Sequence, residues 1–315
     1  MSVDASTGAE VPPDRRAGRG MAVIRPTRLL MWRGPGAREA SAVVPRAVGV
    51  IESIGEGVER CWRGRRVAMP LCAPCAGCAS CCGGIPDHCL SPRRLDVVSE
   101  GARAAEAVHA PVSALAVLPA QVDDDAGVFA WDVARVVHAA ARLHLEGKPY
   151  VTVLGDNALG LLAAQVMSAR NASVRCLGRR ARFYSLCEKW GVKHRHLDEV
   201  GRRQDQDVVV ECSGEATSLA TATALVRVLG KIALLRAWSP EDATSASGAI
   251  EAIIRRELAV IGVSGGRLAD GVAALAGGGV ETASLVTRRF RGADVRQAIR
   301  AALDDEHLAV LVDLA

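Results

Sequence analysis

The stretch YVTVLGDNALGLLAAQVMSARNASVRCLGRR, residues 150–180, decides the fold. It opens with an apolar, β-branched run, which is typical of a strand buried on both faces of a parallel sheet. Gly155 and Gly160 then enclose a tight turn, and apolar residues at helical spacing follow from Leu159. A second short strand begins at Val174. This order predicts a β-α-β unit whose helix N-terminus offers backbone N–H groups to a pyrophosphate.

The turn departs from the G-x-G-x-x-G fingerprint at its middle position, which holds Asn157. A glycine there lets the backbone approach the phosphates closely, whereas Asn adds a side chain but tolerates left-handed backbone angles. A purely structural turn is the alternative, but the complete β-α-β frame favours nucleotide binding. The residues predicted to cradle the pyrophosphate are Gly155, Asn157, Ala158, Leu159 and Gly160.

The end of the second strand indicates which nucleotide binds. NAD sites place Asp or Glu about 20 residues past the glycines, where it holds the ribose 2′-hydroxyl. Here that place is Gly178, and Arg179 and Arg180 follow it. The missing acid and the two guanidinium groups favour a 2′-phosphate, hence NADP(H), with NAD(H) as the alternative. A solvated pair in an Arg-rich chain is the other explanation of these arginines.

The composition limits the class of protein. A chain of 315 residues is long enough for two domains. Its net charge of +4 is spread along the chain without a basic stripe, so we expect no nucleic-acid partner. No apolar run approaches the roughly 18 residues of a membrane span, and no secretion signal is evident. Ten cysteines in such a chain favour a reducing cytoplasm over a disulfide framework.

The densest chemistry lies in CAPCAGCASCCGGIPDHC, residues 72–89. The spacing C-x2-C-x2-C-x7-C within it can place four thiolates around one tetrahedral zinc, at about 2.3 Å each. Such a closed shell leaves no position for a substrate, so the metal is expected to be structural. Disulfides and an iron–sulfur cluster are the alternatives, and the compartment and even spacing favour zinc. The predicted ligands of this single zinc are Cys75, Cys78, Cys81 and Cys89, with Cys72 and Cys82 as spare thiols.

These cysteines, the preceding GVIESIGEGVERCWRGRRVAM and the later LGDNALGLL occur in an order that resembles the medium-chain dehydrogenase/reductase superfamily, in its zinc-containing alcohol/polyol and threonine dehydrogenase-like branch. The resemblance runs from about residue 45 to the C-terminus. It implies an α/β fold: a Rossmann-type doubly wound parallel sheet plus a shortened GroES-like β domain with a structural zinc lobe. It also implies a homodimer or homotetramer.

The resemblance sets the expected domain bounds. A disordered tail covers 1–20, with Met21 as an alternative start. The shortened GroES-like domain covers 21–128, with its zinc lobe at 72–92. The Rossmann domain follows at 129–266, and 267–315 returns to the first domain.

Two later segments resemble family strands whose ends lie near the cofactor. They are DVVVECSG, residues 207–214, and LAVIGVSGG, residues 258–266. Both are short apolar runs that end in glycine, which suits ligands at the carboxyl ends of parallel strands. The resemblance therefore implies cofactor contacts at Ser213, Gly214, Val263, Ser264 and Gly265.

The catalytic zinc of the family, a Lewis acid, has no recognisable ligands here. Aligned on Gly49, Val50 and Ile51, the family's His-Glu ligand pair falls on Pro45 and Arg46, and a later ligand falls on Trp131. The segment that would bear a first Cys ligand is missing between residues 32 and 44. We therefore predict no catalytic zinc and identify no catalytic residue. His194 and His196 are expected in a surface loop, and Cys212 as a buried thiol.

Two functional hypotheses follow. In the first, the protein is an NADP(H)-dependent oxidoreductase that moves hydride to or from a small carbonyl or alcohol without metal, with hydrogen-bond donors steadying the oxyanion. In the second, it is an inactive pseudoenzyme that serves as a binding or assembly subunit. The retained turn and strand ends favour the first, and the missing ligands favour the second. The substrate is not set by the sequence, because the family's substrate loops are the segments that are missing.

Overall fold

A computed structural model of the chain describes residues 16–33, 43–99, 101–201, 203–236 and 247–314. The chain divides into two compact units. Unit 1 comprises Met1–Trp32, Val43–Trp131 and Val286–Ala315, and unit 2 comprises Arg33–Ala42 and Asp132–Leu285. The predicted tail up to residue 15, and most of the segment between residues 32 and 44, lie outside the described residues.

The strands and helices have the following bounds. The strands are β1 (Met21–Met31), β2 (Arg46–Ile54), β3 (Arg66–Met69), β4 (Cys72–Ala73), β5 (Arg93–Arg94), β6 (Val108–Pro111), β7 (Ala116–Val117), β8 (Tyr150–Leu154), β9 (Ser173–Gly178), β10 (Lys193–His196), β11 (Gln206–Glu211), β12 (Val226–Leu234), β13 (Ala259–Gly262), β14 (Val286–Arg291) and β15 (Ala309–Asp313). The helices are α1 (Ala79–Cys82), α2 (Asp124–Gly127), α3 (Ala130–Leu143), α4 (Ala158–Ser168), α5 (Tyr184–Lys189), α6 (Ser218–Leu225), α7 (Ser247–Arg255), α8 (Leu268–Ala276) and α9 (Arg296–Leu303).

Unit 1 is built on a seven-stranded sheet in the order β14-β15-β1-β2-β3-β7, and β6 also pairs with β1. The long strand β1 bends at Pro26, where its register against β2 shifts. Proline has no N–H to give to the ladder, so it is tolerated at such an irregularity. The C-terminal β15 pairs antiparallel with β1, which brings the end of the chain into the first unit. The core of the unit includes Ile24, Leu29, Met31, Ile51, Val67 and Val310.

Unit 2 is a six-stranded parallel sheet in the order β10-β9-β8-β11-β12-β13. In chain order this is 3-2-1-4-5-6, the strand order of a doubly wound Rossmann fold. Val151 and Val153 of β8 are completely buried, as the apolar run predicted. Helix α4 is buried from Ala158 to Met167, so it crosses against the sheet with little polar surface of its own. The predicted α/β fold class, a Rossmann-type sheet with a GroES-like β domain, is confirmed.

The Rossmann unit extends further along the chain than the sequence indicated, which had placed its end at residue 266. Unit 2 continues to Leu285 and includes α8. The side chain of Gln165 in α4 bonds Glu281 twice: its Nε2 donates to the carbonyl at 3.0 Å, and its Oε1 accepts from the N–H at 2.6 Å. These bonds tie the end of the segment to helix α4 of the Rossmann unit. Only from Val286 does the chain join the sheet of unit 1.

Among the described residues, no helix combines the length and the hydropathy that a bilayer crossing requires.

Candidate cofactor and metal sites

At both glycines of the turn after β8, the neighbouring atoms leave room for a hydrogen atom but not for a side chain. Gly155 has φ +104°, and a Cβ there would lie 2.8 Å from the backbone nitrogen of Ser213. A Cβ at Gly160 would run into the carbonyl oxygen of Gly155. The turn therefore packs directly against the loop that follows β11. This juxtaposition of the ends of β8 and β11 lies at the point where the strand order reverses, the usual ligand crevice of such sheets.

Asn157 is the N-cap of α4, and its side chain joins the turn to the neighbouring strand. Its Oδ1 accepts from the N–H of Gly160 at 3.0 Å, and its Nδ2 donates to the carbonyl of Cys212 at 2.7 Å. The backbone of Asn157 has φ −81°, so the left-handed angles considered from the sequence are not used. Helix geometry still leaves the N–H groups of Ala158 and Leu159 without an intrahelical partner. Those two groups remain for an anion.

Glu211, at the end of β11, shapes the loop that carries Ser213 and Gly214. It is completely buried, and its Oε1 accepts from the Ser213 N–H at 2.7 Å, the Ser213 Oγ at 2.6 Å and the Gly214 N–H at 2.9 Å. Burial raises the pKa of this carboxyl above its ordinary value, against the lowering effect of those donors. The sequence contained a signal for it, an acid that closes an otherwise apolar strand, but its role was not predicted.

A second buried group meets the same loop. Nη1 of Arg236, just after β12, lies 3.4 Å from the carbonyl oxygens of both Cys212 and Ser213. Burial lowers the pKa of this guanidinium to about 10, so it stays charged at neutral pH. Cys212 is completely buried, as predicted, and burial raises the pKa of its thiol. A buried thiol with a raised pKa is a poor nucleophile, so the structure assigns Cys212 no thiolate role.

A carboxylate that the sequence did not predict, that of Asp156, lies beside the end of β9. A Cβ at Gly178 would run into the side chain of Asp156, which comes from the glycine turn. The N–H of Arg180 donates to Asp156 Oδ2 at 2.8 Å, and its Nε donates to Oδ1 at 3.2 Å. The strand end itself lacks the acid, as the sequence indicated. The turn supplies one instead and pairs it with Arg180.

Arg179 bridges two loops at the same edge of the sheet. Its Nη1 lies 3.2 Å from Asp198 Oδ2, and its Nη2 lies 3.6 Å from Glu215 Oε2. The side chain of Arg179 is 50% exposed and that of Asp198 is 67% exposed. Bridges this exposed are weak. A phosphate that reached Arg179 would therefore compete with partners that hold it loosely.

Val263, Ser264 and Gly265 follow the edge strand β13. Val263 is buried, and its N–H donates to the carbonyl of Leu234 at 2.9 Å, while Ser264 is exposed. Because all six strands are parallel, these residues lie at the same edge of the sheet as Gly155, Gly178 and Ser213. The structure thus assembles every predicted cofactor residue at the carboxyl edge of the sheet. Their roles toward a cofactor stay predictions.

The four predicted lobe cysteines come together in unit 1, beside the small β4–β5 ribbon and α1. The sulfur atoms of Cys75, Cys78, Cys81 and Cys89 all lie within 4.8 Å of one another. Cys78 Sγ is 3.5 Å from Cys81 Sγ and 3.9 Å from Cys89 Sγ. Tetrahedral zinc with bonds of about 2.3 Å separates its sulfurs by about 3.8 Å, so the donor set fits zinc.

Backbone groups prepare one of these thiols for a metal. The N–H of Leu90 donates to Cys78 Sγ at 3.5 Å and lowers the pKa of that thiol to about 6. Desolvation and its thiol neighbours raise the pKa of Cys81 to about 12. Metal binding requires these thiols to lose their protons, so zinc uptake by the lobe should depend on pH.

Two of the positions aligned with the catalytic-zinc ligands, Arg46 and Trp131, form a cluster with Trp32 in unit 1. The guanidinium carbon of Arg46 lies 5.0 Å from the ring centre of Trp32 and 5.2 Å from that of Trp131. Arg46 is 7% exposed and donates from Nη1 to the carbonyl of Val44. Cation–π contacts with two indoles hold this side chain in place. A fixed positive charge here opposes the binding of a metal cation at the same place.

Comparison with known proteins identifies one domain of the chain and several similar proteins. The family model for the alcohol dehydrogenase GroES-like domain matches residues 24–120. A sorbitol dehydrogenase from Halalkalibacterium halodurans is 27% identical over 281 residues, which cover 84% of this chain and 80% of the relative.

Two solved structures share the fold. An alcohol dehydrogenase from Escherichia coli CFT073, complexed with NADH, has a TM-score of 0.81 at 19% identity and covers 97% of this chain and 94% of its own. A protein from Sinorhizobium meliloti 1021, bound to NADP and assigned as a zinc-binding dehydrogenase, has a TM-score of 0.78 at 19% identity and covers 95% and 93%.

The chain contains an alcohol dehydrogenase GroES-like domain, followed by a Rossmann unit. It is similar to dehydrogenases of the medium-chain dehydrogenase/reductase superfamily, so the resemblance noted in the sequence is confirmed.

Proposed function

We propose that the protein is an NADP(H)-dependent oxidoreductase of the alcohol dehydrogenase-like family that acts on a small carbonyl or alcohol without a catalytic zinc. The observation that carries the proposal is the pair of cation–π contacts that Arg46 makes with Trp32 and Trp131, because Arg46 and Trp131 stand where two of the family's metal ligands align. The turn in the Rossmann unit, which keeps the first and last glycines of the fingerprint, supports nucleotide binding. The sorbitol dehydrogenase relative supports the class of substrate.

Different residues of unit 2 would bind different parts of the nucleotide. A bound nicotinamide supplies or accepts the hydride. The N–H groups of Ala158 and Leu159, at the start of α4, would receive the pyrophosphate. Glu211 and Arg236 keep the loop at Ser213 in one conformation through bonds to its N–H and carbonyl groups. A loop fixed in this way costs less entropy to order when the nucleotide binds.

Arg179 is the residue we assign to the 2′-phosphate. Its present bridges to Asp198 and Glu215 are exposed, and such bridges contribute about 0–1 kcal/mol. A charge-assisted bond from guanidinium to phosphate contributes about 1.5–3 kcal/mol. We therefore expect the 2′-phosphate to displace the carboxylates of Asp198 and Glu215 from Arg179. Arg180 is less available, because it is bonded to the buried Asp156 by both its backbone and its side chain.

Arg46 is our candidate for the positive charge that a catalytic metal supplies in zinc enzymes. A developing alkoxide needs a preorganised donor in a site that excludes water. The guanidinium of Arg46 is positively charged, buried and in contact with two indole rings, so it need not reorganise. Removing one such donor costs enzymes about 10²–10³ in kcat.

Two further proposals concern assembly. We propose one structural zinc in the four-cysteine lobe, on the strength of the sulfur separations given above. We also propose a homodimer or homotetramer. The edge strand β13 leaves one side unpaired among the described strands, and Val260 on it is 38% exposed. An open apolar edge of this kind is normally covered in a stable protein.

The test is NADPH consumption by the zinc-loaded chain against a panel of aldehydes, ketones and quinones. We expect turnover that survives a short treatment with chelator and falls about 100-fold or more in Arg46→Met. Arg46→Lys should retain part of it, and Arg25→Met, which removes a half-exposed arginine of β1, should be neutral. Turnover that requires added zinc and ignores Arg46 would contradict the proposal. A folded, nucleotide-bound chain without turnover would instead favour the pseudoenzyme.

A further inference from the structure

The Rossmann unit contains a second group of metal-ligating side chains, separate from the cysteine lobe. Cys176 lies on β9, Cys187 on α5 and His194 on β10. One ligand atom from each lies within 4.8 Å of those of the other two. The exposed fractions are 0%, 0% and 2%. Two thiols and an imidazole, each from a different element, thus lie close together in the buried interior.

His194 is the observation that points to a ligand. Neither of its ring nitrogens has a hydrogen-bond partner among the described residues, although both are buried. Buried polar atoms almost always have a partner, and each exception requires an explanation. The ring of Tyr184 covers His194 at 4.4 Å between centroids, so the imidazole is held in place rather than loosely packed. The sequence had suggested a surface loop for His194, and this expectation was wrong.

A carboxylate lies beside this group. Asp156 Oδ2 is 3.5 Å from His194 Nε2, a distance too long for a good hydrogen bond. It is close to the separation of about 3.4 Å between two ligands on a tetrahedral zinc with bonds of about 2.0–2.1 Å. Asp156 is also 5% exposed and is anchored from the other side by Arg180. An oxygen donor therefore lies beside the nitrogen of the Cys176, Cys187 and His194 group.

We propose that Cys176, Cys187 and His194 bind a zinc ion in the Rossmann unit, and that Asp156, the carboxylate beside His194, is the candidate for the fourth position. Two thiolates neutralise the ion, and Arg180 balances the carboxylate, so the site has no net charge to bury. The ligands tie β9, β10 and α5 to the glycine turn. The site is thus structural and does not depend on the proposed oxidoreductase activity. The expected metal content of the chain rises from one zinc to two.

The same two cysteines could instead form a disulfide, which would leave His194 unexplained. The reducing compartment expected from the sequence argues against it. The two states are easily separated, because a disulfide lowers the mass of the denatured chain by two hydrogens and blocks both thiols from alkylation. A disulfide in the freshly purified chain would overturn the proposal.

The test counts zinc by native mass spectrometry and elemental analysis on the full chain grown with zinc. We expect two ions in the wild type and one in Cys187→Ala or His194→Gln. Cys212→Ala is the matched control, since Cys212 is another completely buried cysteine of the same unit and should keep both ions. Cys81→Ser/Cys89→Ser, in the lobe, should keep only the Rossmann ion. A wild type with one ion, and a lobe variant with none, would overturn the proposal.

X-ray absorption at the zinc edge decides the matter on the wild type alone, should the variants fail to fold. A lobe ion with four sulfurs and a Rossmann ion with two give a mean of three sulfurs per zinc, with nitrogen or oxygen making up the rest. A mean of four sulfurs per zinc would assign all bound metal to lobe-type sites and overturn the proposal.

Discussion

Asn157, the residue that replaces the middle glycine of the nucleotide turn, gives the sharpest perturbation. Asn157→Ala removes the cap to Gly160 and the bond to Cys212. Loss of an N-cap costs about 1 kcal/mol, and loss of the second hydrogen bond costs about 1 kcal/mol more. For a unit of this size, about 2 kcal/mol lowers the melting temperature by about 4–8 °C.

Asn157→Asp separates stability from nucleotide binding. The carboxylate keeps the acceptor for Gly160 and favours the helix N-terminus, which offsets part of the cost at its other oxygen. That oxygen cannot donate to the Cys212 carbonyl and must turn away from it, so the bond to Cys212 is lost, at about 1 kcal/mol. The new charge would, however, face the pyrophosphate. At about 4 Å, repulsion between unit charges is about 1 kcal/mol in water and about 4 kcal/mol near a protein surface. We therefore expect the Kd for NADPH to rise about 10-fold or more.

The assays are thermal unfolding followed by circular dichroism, and NADPH fluorescence titration of both variants. We expect the two variants to rank differently in the two assays. Asn157→Ala should have the lower melting temperature, and Asn157→Asp should have the higher Kd for NADPH. If Asp melts as low as Ala, the capping role is wrong. If Asp binds NADPH as tightly as the wild type, the pyrophosphate does not lie at this helix start.

Three further predictions concern the remaining site residues. Arg179→Ala should weaken NADPH about 10–100-fold in fluorescence titrations and leave NADH nearly unchanged, and equal losses would refute the 2′-phosphate assignment. Glu211 has a raised pKa when folded, so the native state holds the proton more tightly and stability falls as pH rises above the ordinary value of 4.5. Glu211→Gln should therefore flatten that part of the pH–stability curve in urea titrations, and an unchanged slope would assign it to another group. Cys89→Ser should remove the lobe zinc and lower the melting temperature, and an unchanged zinc content would show that Cys72 or Cys82 replaces it.

The fold could be predicted because it rests on local patterns. The apolar run of β8, the glycines at 155 and 160 and the helical spacing of α4 each specify their element, and the structure places them as expected. The lobe cysteines were predictable for the same reason, since their spacing in sequence fixes their closeness in space. The cap that Asn157 forms with Gly160 is local, but its second bond, to the carbonyl of Cys212 just after β11, joins residues far apart in the chain and was not predicted.

The rest depended on contacts between residues far apart in the chain. Trp32, Arg46 and Trp131 form one cluster, but no local pattern joins them. Asp156 fills the space beside Gly178 only because β8 and β9 are neighbours. His194 was misplaced because the charged stretch KHRH hides the alternation of a strand, in which every second side chain points inward.

Nucleotide titration of the zinc-loaded wild type tests the central claim most directly. Fluorescence of NADPH and NADH is followed as the chain is added, at one ionic strength and one protein concentration. The account predicts saturable binding of NADPH, with NADH weaker because it lacks the phosphate that Arg179 would hold. Binding of neither nucleotide would contradict the account, since the glycine turn would then be only a structural turn.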